Sequence, residues 1–360
     1  MSIPFETARL GTKACTFPPP PAIRETFRSR SARSVVSAML AVAMGTSSCV
    51  HYANPEKPGA ADLAANRAAV ESVPGLVAFW TFGEEPGQAR RSAGTADKHP
   101  LMEVGKPVAR EEGGPYSGYH AHFDGQQFMG IEHNALGGLD ISGREAQVSM
   151  FAVAEVDDMS RGVSIAGIWS EGKGENDDTG TRQYALLLNM PMYGGPRNVT
   201  PHVSSEGGVS RRASGTGMPW CVDYAASVSV VPEHRWVTLG FTYDGRYIRA
   251  YFNGVMEARQ VDPVKDNRTD PYFAKEGPFG GHRGINPYFH GRGIFKYDPA
   301  RDGGAKMKPS PFLVGARYAV GSMFGEAMKG SLAGLAVFNR ALTEKEMQKL
   351  HASAHLQALQ

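Results

Sequence analysis

The chain has 360 residues, 41% hydrophobic and 21% charged, with 43 Gly, 24 Pro and 3 Cys. That length allows one large or two ordinary domains with a buried core; the apolar content excludes a disordered chain and the scarcity of Cys a disulfide scaffold. No stretch reaches the roughly 20 apolar residues of a membrane-spanning helix, and abundant Gly and Pro without a period exclude collagen and favour a turn-rich, all-β protein.

Residues 1–48 read as an export leader. They hold six basic residues (Arg9, Lys13, Arg24, Arg28, Arg30, Arg33) against Glu6 and Glu25, and four consecutive prolines, Pro18 to Pro21, forbid regular structure. A short apolar run from Val35 to Met44 then leads to the small residues Gly45 to Ser48, the order of an export signal. Thr46-Ser47-Ser48-Cys49 resembles a bacterial lipoprotein processing site with Cys49 as the lipidated residue. Thr46 stands where that site usually has Leu, and ordinary cleavage near Ala43 is the alternative. Either route predicts an exported protein, secreted, periplasmic or lipid-anchored at the envelope, with no other membrane attachment. The formal charge of +2 belongs to the leader: without it 32 basic residues face 34 acidic ones, so the balance offers no argument for nucleic acid.

Residues 49–72 are polar and Ala-rich and read as a flexible tether ending in one short helix. From Val73 the texture changes to short apolar runs between Gly, Asn and Asp. Candidate strands are Leu76–Phe82, His120–Phe123, Gln147–Val156, Ser164–Ser170, Tyr184–Asn189, Trp236–Tyr243, Tyr247–Phe252, Pro311–Val314 and Gly330–Phe338. Asp244-Gly245 between two alternating runs signals a two-residue hairpin, because both turn positions need positive φ. Near the end, Thr343-Glu344-Lys345-Glu346 is a capping box, and Leu342, Met347, Leu350 and Leu356 form a helical stripe.

Four landmarks occur in order: Gly75-Leu-Val-Ala-Phe-Trp-Thr-Phe82, Phe123-Asp124-Gly125, the Trp236 to Gly254 double hairpin, and Gly330-Ser-Leu-Ala-Gly-Leu-Ala-Val-Phe-Asn-Arg-Ala-Leu-Thr343. In that order they resemble the LamG-like (laminin G-like) jelly rolls of the concanavalin A-like lectin/glucanase superfamily. The resemblance implies one all-β domain over residues 73–360, two packed antiparallel sheets with a short C-terminal helix, and long insertions at 190–224 and 259–310. It also implies glycan binding or, in some members, hydrolysis. Ala333 and Gly334 stand where the family usually carries an acidic pair, so Asp124, the candidate calcium ligand, lacks its expected partner. Calcium needs several oxygen ligands; no other cofactor is expected.

Enzymes of the superfamily place carboxylates on alternate residues of one strand, so that they share a face. Glu155 and Asp157 have that spacing, but Met159, Ser160 and Arg161 follow where a third carboxylate would stand, and a polar strand end is the plainer reading. Glu171 to Asp178 is denser in acid, yet its glycines mark a solvated turn. His120 and His122 alternate on one strand and read as a surface pair. The two insertions interleave aromatic, Arg, His and Asn residues with Gly and Pro, a composition suited to sugar rings and hydroxyls. Tyr272, Tyr288, His290 and Arg292 in the longer one, with Trp220 in the shorter, are the candidate ligand-binding residues; the alternative is that their aromatics pack on the sandwich. The reading is an exported, non-catalytic module for carbohydrate or a cell-surface partner. Its rivals are a glycoside hydrolase using Glu155 and Asp157 and a structural envelope protein.

Overall fold

The computed structural model describes residues 59–359 apart from 95–98, 175–176, 191–195, 213, 219, 261–283 and 320–323. Helix α1 (Ala60–Glu71) leads into β1 (Leu76–Trp80), β2 (Ser92–Ala93), β3 (Met102–Gly105), β4 (Ala109–Glu112), β5 (Tyr119–Asp124) and β6 (Gln127–Ile131). Then come β7 (Val148–Val156), β8 (Val163–Ile168), β9 (Tyr184–Leu188), β10 (His202–Val203), β11 (Val237–Tyr243), β12 (Tyr247–Phe252) and β13 (Tyr288–Phe289). The chain ends with α2 (Pro299–Asp302), β14 (Phe312–Val314), β15 (Arg317–Tyr318), β16 (Phe324–Gly325), β17 (Lys329–Phe338) and α3 (Glu344–Ser353).

Two antiparallel sheets carry the fold. One runs β13-β12-β11-β7-β17-β1-β2, with β5 also on β17 and β4 on β5; the other runs β10-β9-β8-β14-β6-β3. Alternation along β7 explains how they stack. Val148, Met150, Ala152, Ala154 and Val156 enter the sandwich core, while Phe151 and Val153 face outward into a second apolar cluster. That outer cluster is roofed by α1 and α3 through Val70, Met347 and Leu350, so the longest central strands are buried on both faces and read as nearly continuous apolar runs. The capping box forms as the sequence predicts: Glu346 N–H donates to Thr343 Oγ1 (3.3 Å) and Thr343 N–H to Glu346 Oε2 (2.8 Å).

The nine strands expected from alternation are all present within two residues at each end. The helix expected at the end of the tether is docked: Val70 is buried, Asn66 Nδ2 donates to Pro115 O (3.0 Å) and Arg67 Nη1 to Tyr116 O (2.8 Å). Residues 60–71 are therefore a docked helix and not flexible spacer, and the described packing extends N-terminal of Val73. Cys49 lies outside the described residues.

Candidate functional site

Among the described residues no helix joins the apolar clusters on the outer face of the six-stranded sheet. Trp169, just past β8, and Ala185 and Leu187 of β9 point outward and join Met190 and Cys221 in a small cluster of their own. The chain after β9 folds back over them. His202–Val203 pairs with Tyr184–Ala185, and Ser210 N–H donates to Trp220 O (3.0 Å). The β15–β16 hairpin closes the other side, with Tyr318 N–H donating to Trp169 O (3.2 Å) and Ser164 N–H to Glu326 O (3.1 Å). Between them lies a pocket of about 250 Å³ lined by Trp169, Glu171, Asn189, His202, Trp220, Arg317 and Glu326, with Leu187, Met190 and Cys221 as its apolar floor.

Charge pairing fixes this lining. Glu171 accepts from Trp169 Nε1 (2.8 Å) and Arg182 Nε (2.9 Å), and its carbonyl accepts from Arg182 Nη2 (2.7 Å). Arg317 bridges Glu171 to Glu326, donating to the latter from Nε (2.6 Å) and Nη2 (2.5 Å). Arg182 is fully buried; such a cation is tolerated only where it is paired and hydrogen-bonded. The arrangement presents fixed acceptors and guanidinium edges beside indole rings, and no free acid–base couple.

His202 sits between the rings, stacked on Tyr224 (centroids 5.1 Å apart) and edge-on to Trp169 (5.6 Å), with Nδ1 2.8 Å from Thr200 O. Burial lowers its pKa to about 4, so the imidazole is neutral at neutral pH. Burial, aided by the Asp223 charge, pushes the Cys221 thiol up to about 11. Cys221 is a packed small hydrophobe.

Trp220 is the one described residue of the sequence-derived set that reaches this pocket. Tyr288 (1% exposed) and His290 (0%) are interior groups instead. Tyr288 belongs to the sandwich core and its hydroxyl donates to Asp223 (3.3 Å); His290 Nδ1 lies 3.5 Å from Asp223 and Nε2 2.9 Å from Gly293 O. Asp223 is fully buried. Burial pushes its carboxyl up, but the facing His290, Ser210 and Tyr288 together hold it below the ordinary value. The stretch around Tyr288 thus takes the packing alternative: β13 adds to the sheet edge beside β12 and seals the core. Arg292 is partly exposed, paired with Glu206 and donating to Arg211 O (3.2 Å). Tyr272 lies outside the described residues. Asp124 is exposed and accepts from Gln126 N–H (2.8 Å) in the Gly125 turn between β5 and β6, and no acidic or His group of the described residues clusters with it at ligand spacing.

Glu155 and Asp157 do not line the pocket; they lie at the end of β7, where alternation puts Glu155 on the outer face of the nine-stranded sheet. Burial, and next the Asp157 charge, raise the Glu155 carboxyl, while His234 and His122 oppose the shift. Glu171, expected in a solvated turn, is 8% exposed: its two guanidinium partners come from positions 182 and 317, invisible to a local reading. Trp169, Asn189, Arg182, Arg317 and Glu326 are not among the site candidates read from the sequence, and Glu171 appears there only within the solvated acidic turn. The only local signal was Trp169-Ser-Glu171, an aromatic and an acid two apart at the end of an apolar strand.

With fold and pocket defined, the class is an all-β, two-sheet sandwich carrying a polar-aromatic pocket on one outer face. No protein-family model matches the chain, and no curated relative matches it. Similar solved structures include domain 4 of an extracellular GH43 arabinanase from Geobacillus stearothermophilus in complex with arabinotriose (15% identity, TM-score 0.43, 77% of this chain and 98% of that one). Trypanosoma rangeli sialidase is similar at 12% identity and a TM-score of 0.42, over 82% of this chain and 38% of that one. The binding domain of botulinum neurotoxin serotype G is similar at 7% identity and 0.38, over 77% and 50%. This chain therefore spans half or less of the sialidase and of the neurotoxin domain. At such identities the similarity concerns the fold and not activity.

Proposed function

We propose that the protein is an exported, non-catalytic carbohydrate-recognition module of LamG-like type, taking one terminal sugar residue in the pocket between Trp169, Trp220 and Arg317. The observation that carries this reading is the pocket's chemistry. Two indoles and an apolar floor meet Glu171, Asn189, Arg317 and Glu326, held in place by bonds to one another and to Trp169, and from outside the pocket by Arg182 and the Met159 and Arg161 carbonyls. Indole faces suit the C–H face of a sugar ring, and prearranged carboxylate and guanidinium groups suit its hydroxyls. A volume of about 250 Å³ falls at the small end of ligand sites, fitting a monosaccharide unit and not an extended chain. A cell-surface glycoconjugate is the corresponding partner, and Cys49 the corresponding anchor. A glycan array is the test. Trp220→Ala, a change at a half-buried rim residue, should weaken array binding by about tenfold, the loss of roughly 1–1.5 kcal/mol of ring contact, with the melting temperature unchanged. Unaltered binding in that variant would overturn the assignment of the pocket. Release of reducing sugar that depends on Glu155 would instead support the hydrolase alternative, which rests on that residue's raised carboxyl.

A further inference from the structure

The end of β7 gathers groups that the pocket does not use. Alternation sends Glu155 to the outer face of the nine-stranded sheet, and pairing continues one residue past the strand, since Asp157 N–H donates to Lys329 O (2.9 Å). His234 is tied over this strand end: its N–H donates to Val156 O (2.9 Å), and its ring Nδ1 lies 3.4 Å from Asp157 Oδ1. One ligand atom from each of Glu155, Asp157 and His234 lies within 4.8 Å of the other two. A second imidazole flanks them. Ser331 of β17 is in register with both Glu155 of β7 and His122 of β5, and its Oγ lies 3.1 Å from His122 Nδ1.

The charge around this cluster is unbalanced. Among the described residues no Lys or Arg pairs with Glu155 or Asp157; the neighbouring Lys329 is taken by Asp158 (2.9 Å). Acids elsewhere in comparable settings, Glu171, Glu326 and Asp302, are each gripped by a guanidinium. Two carboxylates and an imidazole converging without a cation form a ligand set. Oxygen and nitrogen donors together suit zinc-class divalent ions, whereas calcium and magnesium prefer all-oxygen shells. Bond lengths of about 2.0–2.2 Å place the ligand atoms of such an ion roughly 3.5 Å apart. The Nδ1–Oδ1 distance of 3.4 Å between His234 and Asp157 already has that spacing, and the His234 side chain is 69% exposed.

We propose that Glu155, Asp157 and His234 bind a single zinc-class divalent cation, with His122 as fourth ligand from the adjoining strands. The ion ties the end of β7 to the segment entering β11 and offsets the repulsion of the two carboxylates. The full chain, stripped with chelator, is titrated with zinc and with cobalt(II), and then with calcium. Calorimetry should give one equivalent of zinc, with calcium more than tenfold weaker. Cobalt should give the visible absorption of a low-coordinate nitrogen–oxygen site, and zinc should shift the ring resonances of His234 and His122 in the wild-type protein. Glu155→Gln and His234→Ala should each weaken zinc more than tenfold while leaving the metal-free melting temperature in place. No uptake by wild type at millimolar zinc, undiminished uptake in the double variant, or ring shifts confined to other histidines would each overturn the proposal. None of the three ligands lines the pocket, so loss of zinc in these variants and loss of glycan binding in Trp220→Ala are separate readouts.

Discussion

His202 shows how much a single side chain contributes to this site and to its stability. It is neutral in the fold because the stacked Tyr224 and the Trp169 edge leave no solvent for a charge. With a folded value of about 4 against roughly 6.5 in the unfolded chain, the unfolded state takes up the proton first as pH falls. The contribution is complete above about pH 6.5 and is lost progressively toward pH 4, by on the order of 3 kcal/mol over the window. Urea unfolding at pH 7 and at pH 4.5 checks this. His202→Gln should lose less stability between the two than wild type does, and an equal loss would show that His202 stays neutral for another reason or does not stay neutral. Asp223 makes the complementary case. Its buried carboxylate is held by Ser210, Tyr288 and His290; Asp223→Ala leaves those partners facing a gap and should cost about 3 kcal/mol in denaturant melts. Tyr288 and His290 are thereby stability residues, so Tyr288→Ala should lower the melting temperature before it alters any binding.

At the level of elements, what could be read in advance follows from the range of the forces that shape each one. β7, β11, β12 and β17 were legible because alternation is written in neighbouring residues; the hairpin at Asp244-Gly245 forms too, but only Gly245 takes positive φ and not Asp244, whereas at Asn253-Gly254 both residues do. β13 was not legible: two residues pair with β12 across a separation of about forty positions, so Tyr288 and Phe289 look like any aromatic pair in a Pro- and Gly-rich loop. The pocket was even less legible. Its acids and guanidiniums come from the ends of β8, β9 and the β15–β16 hairpin, and only sheet pairing brings positions 171, 182, 317 and 326 together. Trp220 is legible because the 190–224 insertion interleaves aromatic, Arg and His residues with Gly and Pro. The α3 cap was legible for the opposite reason, since the whole device fits in four residues. Thr343→Ala should therefore cost about 1 kcal/mol, measured as a fall in the denaturation midpoint with unchanged slope; a change in slope would mean that α3 does not unfold with the sandwich.

For the whole molecule, the decisive feature is that the nine-stranded sheet needs cover on its outer face and the six-stranded sheet does not. Phe79, Phe151, Val153, Ala333 and Ala336 point away from the sandwich core and would meet water without α1 and α3. The six-stranded sheet leaves its outward residues to the 190–224 insertion and the β15–β16 hairpin, which enclose a pocket where helices would fill the space. One outer face is thus closed by helices, while the other carries an open pocket. If that division holds, the true start of the domain is α1. A chain beginning at residue 59 should melt like the longer protein, whereas one beginning at residue 73 exposes Val70's contacts and the Asn66 and Arg67 bonds to the 115–116 backbone. Losing one buried aliphatic side chain, two hydrogen bonds and the shielding of the aromatic cluster should remove on the order of 3–5 kcal/mol and lower the melting temperature by about 5–8 °C for a domain of this size. Equal melting of the two chains would place the boundary at Val73 and make residues 60–71 part of the tether after all. In the shorter chain, pocket binding measured below its melting temperature should persist, because α1 touches only the face opposite the pocket.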